Sequence, residues 1–367
     1  MFALHTLPFA LVLFLQASLS YSLPLTTNYI SAEAVTRQTY INNALITANA
    51  LNARWFDRTT GLWDNMWWQS PNFLCTIADL TDLAPDRFMD ISKYYFETSV
   101  DRARAFNGGN FHNEYYDDEG WWAMALIRIY DVTKKERYLD AAKRTFDDMK
   151  TGRNAVCGGH WWSKEHTYIA SIANELFLNV AAALGNRAPE KKDYYRDMAI
   201  ENAHWFLDSG LINSNNTVSD GVDINTCEPT GTVFTYNSGV ILSAFAELHK
   251  LTSDSKYLET AHRIAEGAMA HLVDSDGILT EIGWPEDLDT TRAMFKGVFV
   301  RNLKYLHAAS PREEYVVFLQ KNADAIWARD REGGFIGPNW QGRYYEASAS
   351  SQGSGFDALV AAAAVSA

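Results

Sequence analysis

A 367-residue chain with a formal net charge of −13 and no cluster of Lys or Arg cannot neutralise phosphates, which excludes a nucleic-acid partner and disfavours an anionic membrane. Aromatic residues make up 13%, with 12 Trp and 18 Tyr, so the surplus has to be core or a surface of flat apolar faces suited to a neutral partner. Length alone allows two ordinary domains or one large one.

Residues 1–22 read as a cleavable signal peptide, because "LPFALVLFLQA" has the length of a signal h-region and "ASLSYS" supplies small residues for cleavage. That run is too short to span a bilayer, and no later segment is long and apolar enough. The mature chain, 23–367, is therefore expected to be secreted, extracellular or cell-wall associated, with no membrane attachment.

From there strand-like alternation is nearly absent, and helical patterns come in pairs. Amphipathic segments start near Ala32, Asp86, Lys134, Glu190, Asp254 and Pro311. In the third, Tyr138, Leu139, Ala142, Phe146 and Met149 fall at helical spacing with charges opposite. Each is followed by a loop and a more uniformly apolar helix, starting near Asn65, Asp117, Tyr168, Tyr236, Lys296 and Ser351. A helix apolar all round is buried on all sides. Six such outer-then-inner pairs, recurring at about 50 to 70 residues, predict an all-α closed ring, an (α/α)6 barrel or toroid forming one domain, and a monomer is expected although the sequence does not fix the oligomeric state. Parallel inner helices would open all their N-termini on one end, so the loops before them would line one cleft.

Cys157 and Cys227 sit in Gly-rich or polar loops before the third and fourth inner helices and are expected to bridge, while Cys75 in "FLCTIADL" reads as a buried thiol. "NNT" makes Asn215 an N-glycosylation acceptor.

Asp117 and Asp118 open the second inner helix. One Asp there would read as a helix cap, but a cap needs only one side chain. Two neighbouring carboxyls suit glycoside hydrolysis: retention needs them about 5 to 5.5 Å apart and inversion about 6.5 to 9.5 Å, and mutual repulsion keeps one protonated while the other ionises. Glu119 adds a third carboxyl at once. Paired tryptophans, Trp67 with Trp68, Trp121 with Trp122 and Trp161 with Trp162, stand at or before three successive inner helices. Their rings, with Tyr116, would stack on sugar C–H faces, although core is the ordinary fate of an aromatic. Asn65 at the first inner start, and the polar residues Asn174 with Glu175, Tyr236 with Asn237 and Lys296 with Arg301, could hold sugar hydroxyls or be satisfied core polarity. No C-x-x-C, H-E-x-x-H or calcium-loop spacing occurs, so neither metal nor organic cofactor is expected.

"YYDDEGWWAMALIRIYD" (Tyr115 to Asp131) resembles the catalytic signature of glycoside hydrolase family 76, the endo-α-1,6-mannanases of bacteria and fungi. "GGHWWSKEHTYIASIANELFLNVAAAL", "TYNSGVILSAFAEL" and "FKGVFVRNL" are similar to its later blocks, in the same order. The resemblance implies an (α/α)6 fold, retention of configuration and attack on α-1,6-linked mannan or mannose-containing wall glycans. By position it makes Asp117 the nucleophile and Asp118 the acid/base, an order that physical reasoning leaves open. His112 and Glu114 stand where that pattern carries other residues, and "ALVAAAAVSA" reads as the last inner helix and not an anchor signal. Three alternatives stay open: a transglycosylase on mannose-containing glycans, a non-catalytic mannan-binding toroid, and a sugar epimerase, for which His112 and His160 are the candidate bases.

Overall fold

The amphipathic periodicity becomes two concentric layers in the computed structural model, which describes residues 36–283 and 288–367. The expected signal peptide, residues 1–22, lies outside them. The chain divides into Met1–Ala34 and Val35–Ala367, and every described residue belongs to the second unit.

Among the described residues there are twelve α-helices. The inner ones are α2 (Gln69–Leu83), α4 (Tyr116–Thr133), α6 (Ser171–Arg187), α8 (Thr235–Thr252), α10 (Arg292–Ala309) and α12 (Ala349–Val365). Each packs on the next, and α12 packs back on α2, so the ring is closed. The outer layer is α1 (Arg37–Trp55), α3 (Pro85–Phe106), α5 (Glu136–Met149), α7 (Lys192–Asp208), α9 (Ser255–His271) and α11 (Glu313–Arg329). This is the (α/α)6 toroid.

Outer-then-inner is the covalent order, but the tight hairpins run the other way. One residue joins α2 to α3, and two join α4 to α5, so α3 packs on α2, α5 on α4, α7 on α6 and α9 on α8. The first outer helix, α1, packs on α12. Short connections therefore gather at one end, and the long ones, such as 150–170 and 209–234, gather at the N-termini of the inner helices. Two of these long loops carry the three-stranded antiparallel sheet β1 (Ile169–Ala170), β2 (Ser219–Val222) and β3 (Pro229–Val233). A hairpin of β4 (Arg331–Glu332) and β5 (Phe335–Ile336) precedes α12.

Ion pairs link the inner helices across the ring. Asp79 on α2 meets Arg128 of α4 (2.6 Å), Lys304 of α10 (2.5 Å) and the Tyr305 hydroxyl (2.7 Å). Arg187 on α6 reaches Asp131 of α4 (2.7 Å) and Glu247 of α8 (2.9 Å). At the closing seam Arg301 of α10 pairs with Asp357 of α12 (2.8 Å) and donates to Asn72 of α2. Glycine lets the backbones approach there: a Cβ on Gly297 would lie 2.5 Å from Ser354 Cα, and one on Gly353 would strike the Phe73 ring.

Lys304 and Arg128 hold the Asp79 carboxyl down at about 2, against the opposing effect of its burial. Its contribution is therefore complete at neutral pH and lost only as pH falls through about 2. Removing the carboxylate takes from buried Lys304 its ion-pair partner and from half-buried Arg128 its shortest one, leaving Arg128 to Asp131 at 3.3 Å. Asp79→Ala should cost about 3–5 kcal/mol in urea unfolding at pH 7. A cost within about 0.5 kcal/mol would mean that the belt does not hold the ring.

Candidate active site

The N-termini of α2, α4, α6, α8 and α10 open on one cleft of about 410 Å³. The residues capping them line it: Trp68, Tyr115, Ala170 and Thr291, with Tyr236 from the first turn of α8. The C-terminal halves of α4, α6, α8 and α10 surround a second cavity of about 470 Å³, lined by Arg128, Arg187, Lys250 and Tyr305. Parallel inner helices thus give the barrel two chemically different mouths.

Asp117 and Asp118 lie on the cleft, in the first turn of α4. Neither is the cap, a position held by Tyr115, whose side chain makes no capping bond. Each keeps a face open to the cleft yet is packed deeply enough by protein for burial to dominate its titration. Burial and the neighbouring Asp118 raise Asp117 well above the usual carboxylate range, while Trp162 and the first-turn N–H groups pull the other way. Asp118 is pushed up to about 6 by burial, opposed by a 2.6 Å hydrogen bond from Asn113 Nδ2 to its Oδ2. The pair therefore retains a proton near neutrality.

Each Trp pair splits. Trp68, Trp121 and Trp162 line the cleft, while their partners turn into the wall. Trp122 is wholly buried against Phe111 (4.7 Å, stacked) and Trp67 (5.0 Å), and Trp161 stacks on His166 (5.1 Å). Trp121 and Trp122 are adjacent residues within α4 and point to different sides of it, so only one of those rings can face the axis; the other two pairs lie in the loops before α2 and α6. Tyr236 is in the cleft and stacks on Phe295 at 3.9 Å.

Other candidates lie elsewhere. Asn65 is exposed in a positive-φ turn and accepts from Thr60. Tyr116 is buried, its hydroxyl 2.9 Å from Thr151, and its neighbour Tyr115 lines the cleft instead. Asn174 is spent on the backbone of His160 and Ala170. Lys296 is buried, donates to the Pro338 carbonyl (2.8 Å) and lies over the Trp340 ring. Asn237 stands one layer back, donating to Asp220 (3.3 Å). His160 has both ring nitrogens on backbone carbonyls, Trp161 O and Met149 O, and burial pulls it down to about 4, which removes it as a cleft base.

Asp220, with Tyr115 and Phe295, lines the cleft without having stood out in the sequence. Asp220 is the acidic one of these. It accepts from the Tyr168 hydroxyl (2.8 Å) and is delivered by β2, a four-residue strand with no periodic signal. Behind it Glu175, wholly buried, has no hydrogen-bond partner on either oxygen among the described residues and is held neutral by burial. The Cys157–Cys227 disulfide, Cα atoms 5.4 Å apart, ties the two loops that carry Trp162 and Asp220, and Cys75 is a buried free thiol. Asn215 is exposed in the turn after α7. Among the described residues no cluster of His, Cys, Asp or Glu is arranged to hold a metal, and no helix is long and apolar enough to cross a membrane.

A closed helical ring with two adjacent buried carboxyls on an aromatic-walled cleft has the parts of a glycosidase site. The chain belongs to glycosyl hydrolase family 76, whose profile matches residues 34–367. It is 26% identical over 251 residues to the mannan endo-1,6-alpha-mannosidase DFG5 of Saccharomyces cerevisiae, covering 61% of this chain and 54% of the relative. It thus spans about half the length of that protein. The α-1,6-mannanase GH76A of Salegentibacter sp. HEL1_6 has the same fold, with TM-score 0.80 and 21% identity over 89% of this chain and 99% of that one. An inactive variant of that enzyme, two consecutive aspartates replaced by alanine, is known in complex with α-1,6-mannotetrose. Dfg5 of Chaetomium thermophilum, solved with glucosamine, superposes with TM-score 0.76 at 18% identity, covering 90% of each chain.

Two measurements follow from the packing. Carboxyls raised in the folded state contribute stability at acid pH that is lost as pH rises through their folded values. Asp118→Asn, which cannot ionise, should therefore be more stable than the native chain at pH 8 by about 1–2 kcal/mol, discounted for cleft water, and equal to it near pH 4. Trp122→Ala should cost about 3–5 kcal/mol in urea unfolding because it empties a core site. A loss under about 1 kcal/mol would place that ring outside the core.

Proposed function

We propose that this chain is a secreted endo-acting glycoside hydrolase that cleaves α-1,6-mannosidic linkages in mannan or mannose-containing wall glycans, with retention of configuration. The observation that carries the reading is the pair of adjacent carboxyls, both pushed up by burial, on a cleft walled by Trp68, Trp121, Trp162 and the stacked Tyr236 and Phe295. A purely binding toroid would use the rings and would have no need to bury two carboxyls side by side. The variant of the bacterial relative that lacks two consecutive aspartates, inactive yet bound to an α-1,6-linked tetrasaccharide, supports the same division between binding rings and reacting acids.

Asp117 attacks the anomeric carbon, and Asp118 protonates the departing glycosidic oxygen, then activates water. Without substrate, burial and the adjacent Asp118 raise Asp117 the further of the two, which favours keeping the proton there. Substrate reverses the preference: positive charge developing at the anomeric carbon lowers Asp117, and the glycosidic oxygen beside Asp118 takes the proton. The rings exclude bulk water and stack on sugar faces, so an acceptor sugar replacing water would make the same enzyme a transglycosylase.

Products from linear α-1,6-mannan should form a ladder of short oligomers; mannose alone from the outset would sink endo action. New higher oligomers in the presence of added mannoside would place the chain among transglycosylases. Asp118→Asn should lose on the order of 10²–10⁴ in rate on mannan, keep the first step on an aryl mannoside, and recover turnover with azide to give a retained product. Asp117→Asn should be inactive on both, with no covalent intermediate. The opposite pattern reverses the roles, and wild-type activity in either variant rejects the paired-carboxyl mechanism. A glycan on Asn215 of the secreted protein, read by mass spectrometry, tests the location.

A further inference from the structure

The Asp-Asp-Glu run sends only two of its three carboxyls to the cleft. Glu119 is turned away and wholly buried. Its Oε1 accepts from Lys164 Nζ at 3.0 Å and from the backbone N–H of Asn113 at 3.4 Å. Lys164 also grips Asp148 of α5 at 2.6 Å, and His112 stands 3.6 Å from the other oxygen of that carboxylate. The Asn113 side chain faces the opposite way. Its Nδ2 donates to Asp118 Oδ2 at 2.6 Å, and its Oδ1 accepts the Tyr115 N–H at 2.9 Å. Asn113 is thus held at its backbone by Glu119 and touches Asp118 with its amide.

We propose that Asn113 is a positioning residue for Asp118, and that Glu119, held by Lys164, which Asp148 grips in turn, is the anchor that fixes Asn113. The inference rests on the preceding reading only in taking Asp118 as the acid/base. The third carboxyl then has a task that needs no contact with substrate.

Protonation fits this task. Burial, with the Asp148 carboxylate nearby, pushes Glu119 up to about 9 against the pull of Lys164, so at neutral pH it is a neutral acid whose Oε1 accepts from Lys164 and Asn113, while its Oε2 is buried without a partner among the described residues. The charged and titratable groups facing it are Lys164 from the α5–α6 loop, Asp148 from α5, His112 from the α3–α4 loop and Asp117 and Asp118 from its own helix, with the Tyr116 ring under Lys164 at 5.6 Å. A neutral Glu119 keeps a third negative charge away from the pair. The amide of Asn113 donates to Asp118 and so favours its ionised form, opposing the rise that burial imposes.

The test reads Asp118 directly, by carboxyl carbon NMR titration, with and without the amide. Asn113→Ala should raise the Asp118 titration by about one pH unit. The same variant should move the basic limb of the kcat/KM profile on α-1,6-mannan upward, since the acid stays protonated to higher pH. It should also lower kcat on mannan at least about tenfold while leaving KM within about threefold, and spare the first step on an aryl mannoside. Glu119→Leu should reproduce these effects. Glu119→Gln, which keeps one donor and the accepting oxygen, should recover most of the loss. Lys164→Met, at the solvent side, repeats the test without opening a core cavity should Glu119→Leu fail to fold. An unmoved Asp118 titration in Asn113→Ala, or a Glu119→Gln variant as impaired as Glu119→Leu, overturns the proposal. The titration needs no substrate, so inactivity of the native chain on mannan would reject the functional reading alone.

Discussion

Six apolar helices can close into a ring only if the polar side chains that face its axis find one another. The belt through Asp79, Arg128, Asp131, Arg187 and Glu247, joined by Lys304 and by the Arg301–Asp357 pair, does this for all six inner helices. Buried ion pairs add little net stability compared with apolar packing, because desolvation offsets their attraction. Breaking one is costly, so their effect is to forbid other arrangements. A helix rotated or slipped by one residue would leave a cation or a carboxylate alone in the interior. The close approaches at Gly297 and Gly353 act in the same direction, since they leave no room for a shifted α12.

Everything at the cleft depends on that register. Parallel inner helices bring several N-termini, each with unpaired N–H groups and a positive dipole end, to one mouth. Negative groups are favoured there, and Asp117, Asp118 and Asp220 occupy it. Burial works against them and wins for Asp117, Asp118 and Glu119, whose carboxyls all rise. The opposition of the two effects leaves Asp117 and Asp118 above the ordinary carboxylate range, the condition under which one of a pair can keep a proton near neutral pH. It also makes the site a source of instability at alkaline pH, offset by the belt at the other end of the barrel.

Much of the fold could be read from the residues. Amphipathic and uniformly apolar stretches alternate along the chain, and both periodicities are local properties, so the layers and their number were legible. The Cys157–Cys227 bridge was legible because both loops precede neighbouring inner helices. The cleft was legible in part. Trp68, Trp121, Trp162 and Tyr236 line it as expected, but Trp67, Trp122 and Trp161 do not, because a dipeptide pattern does not say which ring faces the axis. Asn174 and Lys296 carry the polarity of a binding residue and are consumed by backbone carbonyls. Asp220 gave no signal at all, lying in a short strand between two loops.

The sequence by itself determined the layer count, the order of outer and inner helices, the place of the Asp pair at a helix start and the family to which the chain belongs. These are written in local periodicity and in contiguous blocks. Only the tertiary structure decided which ring of each Trp pair meets the cleft, that Asp220 stands beside Tyr168, and that Glu119 grips Asn113 from behind Asp118. The reason is that side-chain direction depends on helix rotation and on partners far along the chain, such as Lys164 for Glu119 and Asp357 for Arg301. Neither rotation nor partner is encoded in the spacing of neighbouring residues.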